Sequence, residues 1–117
     1  MTGFPSPKLA MRTFDARIEF NVYQQPDVPP AGPGVYALLS RTMENGRGLV
    51  AVLWMGESED VSTVSEGHPD LPKLVENGFN AVAALPEADP EARKKLLHDL
   101  LYARQVWPRC QPQPDDF

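Results

Sequence analysis

The sequence is short of the devices that small proteins use to staple themselves together or to anchor themselves elsewhere. It has one cysteine, Cys110, which excludes an internal disulfide framework and suits a reducing compartment. No apolar run approaches the roughly 20 residues of a membrane span. The first residues carry no apolar signal-like core, so the expected location is the cytoplasm, with no membrane partner. Positive charge is scarce as well: 11 Lys and Arg stand against 16 Asp and Glu, a net charge of −5. Sequence-independent nucleic-acid binding draws on a basic footprint, so this composition disfavours it. The scarcity is greatest between Arg47 and Arg93, where Lys73 is the only cation.

What is present is ordinary globular material. Hydrophobic residues make up 42% of the 117 and charged residues 23%, which argues against global disorder. A chain of this size buries roughly 65% of its unfolded surface, enough for one core and one domain. Residues 1–12, with Pro5 and Pro7 and no sustained period, read as a loose arm. From Phe14 to Tyr23 the chain alternates apolar and polar residues, the pattern of a strand with one wet face. Pro26, Pro29, Pro30 and Pro33 then break regular structure. Val35–Leu39 and Leu49–Met55 are apolar runs separated by a segment holding Asn45-Gly46, which predicts an antiparallel hairpin covered on both faces.

Residues 57–70 are acidic and irregular. Leu71–Asn77 is expected as a short helix capped by Asp70 and closed by Gly78. Phe79–Leu85 follows as a third core strand. Asp89 and Pro90 start a helix whose Ala92, Leu96, Leu97, Leu100, Ala103 and Trp107 form an apolar stripe, ended by Pro108. The sum is an α+β domain over residues 13–110: a small, mostly antiparallel sheet with an added N-terminal strand, packed by a short and a long C-terminal helix. Residues 111–117 read as a mobile tail.

Gly34-Val35-Tyr36 and Trp54-Met55-Gly56, one on each strand of the hairpin, resemble the paired tripeptides of the GIY-YIG nuclease superfamily. Gly56-Glu57-Ser58-Glu59-Asp60-Val61 resembles the continuation that leads into that family's arginine helix. Pro108 fits a proline common among its members, which puts Asp99 at the metal-binding glutamate and Gln111 at a nearby asparagine. The resemblance covers residues 33–111. It implies phosphodiester hydrolysis assisted by a tyrosine, an arginine and one divalent metal held by the glutamate. The departures are substantial. The arginine position falls on Val64, the second tyrosine is Trp54, and the glutamate is the shorter Asp99; Tyr36 alone is kept. An indole N–H donates but cannot act as a base.

The expected function is therefore a catalytically degenerate domain that binds another macromolecule, mainly protein, as an inhibitor or immunity-type protein would. The acidic residues Glu57, Glu59, Asp60 and Glu66 would form the surface for a basic partner. The N-terminal strand offers an edge for a homodimer. The alternative is a divergent Mg²⁺- or Mn²⁺-dependent nuclease. Tyr36 and Trp54 would then lie in the site, Asp99 would hold the metal, and Lys73, Arg41 or Arg47 would replace the missing cation. Each residue also has a plain packing reading: Tyr36 and Trp54 as strand aromatics, His98-Asp99 as a solvated helix face, and His68 as a loop residue. Cys110 lacks partner spacing for nucleophilic chemistry. Arg93-Lys94-Lys95, with Arg104 and Arg109, read as solvated charge.

Overall fold

A computed structural model of the chain describes residues 8–103 and 107–112. Five strands form one antiparallel sheet: β1 (Lys8–Arg12), β2 (Arg17–Gln24), β3 (Gly34–Glu44), β4 (Arg47–Ser58) and β5 (Ala81–Pro86). Their order is β1-β2-β5-β3-β4. A 3₁₀ turn at Val61–Thr63, a short helix α1 (Leu71–Glu76) and a long helix α2 (Pro90–Ala103) complete the expected α+β domain.

Local chemistry accounts for the element ends. Asn45 and Gly46 both have positive φ, as a two-residue hairpin turn of the favoured twist requires. Asp89 accepts a bond from the Glu91 amide and Pro90 opens α2. Gly78, at φ 88°, closes α1, and Phe79 N–H returns to the Leu74 carbonyl. Asp70 makes no side-chain cap.

Strand alternation splits the apolar residues into two cores. Val35, Ala37 and Leu39 of β3 join Phe20, Val22, Met55, Leu100 and Leu101 under α2. Tyr36 and Leu38 join Leu53, Val61, Leu74, Val82 and Cys110 on the opposite face, under α1. The sheet also curls. β1 and β4 lie at opposite ends of the strand order, yet both line one cavity of about 300 Å³ with Leu100 of α2.

Besides the missing Asp70 cap, three expectations change. Residues 8–12, placed in the arm, form edge strand β1, whose Leu9 and Met11 pack into the α2 core; residues 1–7 of that arm and 113–117 of the tail lie outside the described residues. β2 joins the main sheet, engaged by β1 over Arg17–Asn21 and by β5 over Asn21–Gln24, so it is not the edge expected to pair two copies. Phe14, expected on the inner face, sits in the β1–β2 turn and is 79% exposed.

Candidate functional site

The two motif tripeptides face each other as neighbouring strands, and their glycines have steric reasons. Tyr36 and Gly56 are a cross-strand pair. The Tyr36 ring lies over Gly56, so a Cβ there would sit 2.6 Å from the phenol oxygen and 2.8 Å from Cζ. Gly34 is equally confined, because a Cβ would run into the Leu85 carbonyl of β5. Tyr36 is 8% exposed. Burial, and secondarily the charge of Glu57, push its phenol above its ordinary value. The hydroxyl is therefore neutral at physiological pH and suited to donating a hydrogen bond rather than to acting as a base.

Trp54 lies across from Leu38 on the α1 face and meets the His68 ring edge-on at 4.5 Å. His68 Nδ1 accepts from the Asp70 amide at 3.0 Å, which occupies that nitrogen in the turn before α1. Val64, where the resemblance would place an arginine, packs against the same core. Lys73 stands exposed on α1.

Most of the acidic segment is engaged internally. Arg93, expected as solvated charge, is 1% exposed instead. Its Nε donates to Glu57 and its Nη2 to Glu59, each at 2.8 Å, while Nη1 donates to the carbonyls of Glu87 and Ala88. Asp60 caps the 3₁₀ turn, accepting from the Ser62 amide and hydroxyl and from the Gly32 amide. These donors, the Ser62 hydroxyl first, hold its carboxyl below the usual range. Glu59, despite its bond, keeps an exposed side chain, and Glu66 is exposed.

Asp99 belongs to α2 and so to the other side of the sheet from Tyr36. It accepts from Lys95 at 2.8 Å, a bond that holds its carboxyl below the usual carboxylate range, and lies 3.5 Å from His98 Nδ1. Arg41 is buried on the α2 side, where its Nη1 donates to Gln24. Gln111, where the resemblance would place an asparagine, accepts from the Met55 amide on the outer edge of β4. Cys110 is 2% exposed, and burial pushes its thiol up, so it is no exposed nucleophile. Arg104 lies outside the described residues. Among the described residues no group of three or more His, Cys, Asp or Glu is placed to hold a metal.

Sequence reasoning missed two features. One is the β1–β4 cavity, which strand alternation cannot reveal because it depends on sheet curl. The other is a cleft of about 350 Å³ beside the end of α2, walled by Leu97, His98, Tyr102 and Trp107. His98 stacks on Tyr102 at 4.5 Å, and Tyr102 meets Trp107 edge-on. The four-residue spacing of His98 and Tyr102 was a usable signal for the first contact.

No family model, curated protein or solved structure matches this chain. Among the described residues no helix is long and apolar enough to cross a membrane.

Proposed function

We propose that this chain is a non-catalytic domain, built on a GIY-YIG-like hairpin, that works by binding another protein. One observation carries the reading: Tyr36 and Asp99 occupy opposite faces of the sheet, Tyr36 in the α1 core and Asp99 on α2. Groups that share one reacting phosphate must converge within hydrogen-bond reach of it. The hairpin, short helix, strand and long helix follow the order the resemblance implies, which supports the scaffold. The packing of Tyr36 over Gly56 gives the retained tyrosine a structural role.

A nuclease using Mg²⁺ or Mn²⁺ draws little support from the donor set. Asp99, the one carboxylate that the resemblance assigns to the metal, already accepts from Lys95 at 2.8 Å, which weighs against that role. Basic-partner binding through Glu57, Glu59, Asp60 and Glu66 is also weakened, because the first three already serve Arg93, Ser62 and Gly32.

The test incubates the purified chain with single-stranded, duplex and branched DNA and with RNA, in Mg²⁺ or Mn²⁺. The expected result is intact substrate and no retention of nucleic acid at low salt. Cleavage that Tyr36→Phe and Asp99→Ala each abolish would overturn the proposal.

A further inference from the structure

In a five-stranded sheet that is antiparallel throughout, the first and last strands in the order run the same way. β1 and β4 are those strands, and the curl brings them to one cavity floored by Leu100. Direct pairing of the two edges would be parallel. One further strand, running opposite to both, would be antiparallel to each and would complete a closed, even-numbered sheet. We propose that the gap between β1 and β4 receives an extended segment of a partner protein, alternating apolar with acidic residues, as an added strand. This names the partner surface for the binding role above and rests on that reading.

The backbone limits where such a segment can pair. Among the described residues β1 has β2 on one side and no strand on the other. On β4 the outer edge from Val52 to Met55 is covered: Arg109 N–H donates to the Val52 carbonyl, Cys110 N–H to Leu53, and Gln111 accepts from Met55. The stretch Arg47–Ala51 precedes that cover. Main-chain bonds to Lys8–Arg12 and Arg47–Ala51 would supply affinity, as in other strand-addition complexes.

The side chains define the partner's chemistry. Leu9, Met11, Val50 and Val52 give the gap apolar walls. Val50 is 44% exposed, and Met43, on the same face of the hairpin by strand alternation, is 41% exposed. Among the described residues Arg12 is the one charged residue lining the gap, and no carboxylate lines it. Glu19, across from Ala10 on β2, is tied to Arg17 at 3.0 Å. The local field thus suits a segment carrying Asp or Glu. A second copy fits poorly, because antiparallel pairing of two β1 strands about Ala10 would set Lys8 of one against Arg12 of the other.

The test selects a random decapeptide display library against the immobilised full chain, then titrates enriched peptides into ¹⁵N-labelled protein. Enriched sequences should alternate apolar with acidic residues and shift the amides of Leu9–Arg12 and Arg47–Ala51. Arg12→Glu should weaken them about fivefold or more. Val50→Lys, at a half-exposed position, should weaken them too, with amide spectra confirming that both variants fold. Absence of enrichment, basic consensus peptides, or shifts confined to other surfaces would each overturn the assignment. Cleavage of nucleic acid alongside intact peptide binding would sink the non-catalytic reading alone. Failed selection without cleavage would sink only the gap.

Discussion

Tyr36 and Gly56 show how a pair of residues can require each other for reasons of shape. The ring needs a residue without Cβ across the hairpin, and the glycine needs the ring to cover its backbone. Gly56→Ala should therefore destabilise the fold by about 1–3 kcal/mol through overpacking. In a Tyr36→Leu background the penalty should shrink, and a double-mutant cycle from urea melts measures that coupling. A second prediction concerns alkali. The Tyr36 phenol is pushed up in the fold, so the folded state holds its proton more tightly than the unfolded chain does. The stability this contributes is fully present below the unfolded value of about 10 and declines as pH rises through the folded value. Thermal melts from pH 9 to 11 should show a steeper decline for the wild type than for Tyr36→Phe; parallel curves would refute the linkage.

Among the elements, α2 is fastened to β4 by a single buried cation. Arg93 joins Glu57, Glu59 and two backbone carbonyls at the entry to the helix. Removing it leaves two carboxylates facing each other without a counter-charge. Arg93→Met should lower the melting temperature more than Lys95→Ala, which breaks only an exposed pair within one helix. Calorimetry on both variants checks that order. Arg93 also marks where the sequence stops being legible. The hairpin, β2 and α2 could be read because their periods repeat within a single segment. The carboxylate partners of Arg93 stand 34 and 36 positions away, and nothing local distinguishes it from Lys94 and Lys95. β1 escaped for a different reason: five residues after two prolines offer too few repeats for alternation to register. The motif residues themselves were legible, but which of them share a face was not, because that depends on which side of the sheet each distant helix covers.

For the whole molecule, two cores share one sheet, and β3 supplies both, so neither face has a strand set of its own to unfold separately. Leu38→Ala on the α1 side and Leu39→Ala on the α2 side should each lower stability by about 2–5 kcal/mol. Each should shift a single urea transition, with tryptophan fluorescence and far-ultraviolet circular dichroism coinciding; separated transitions would show that the faces unfold independently. The even division between faces depends on one extra residue. β3 pairs Leu38 with Trp54 but Leu39 with Val52, leaving Leu53 as a bulge. C-terminal to it, even-numbered Trp54 faces α1; N-terminal to it, even-numbered Val52 faces α2. Leu53 thus acts as a frame change written into the chain. Removing Leu53 would restore simple alternation and leave Val52 and Val50 toward α2, whereas pairing Leu53 with Leu39 in an unbulged strand would turn Ala51 and Leu49 toward α2 and Val50 away from it. Lineages lacking the residue should therefore keep the same apolar tip residues, set one place nearer the Trp54-Met55-Gly56 tripeptide than in this sequence.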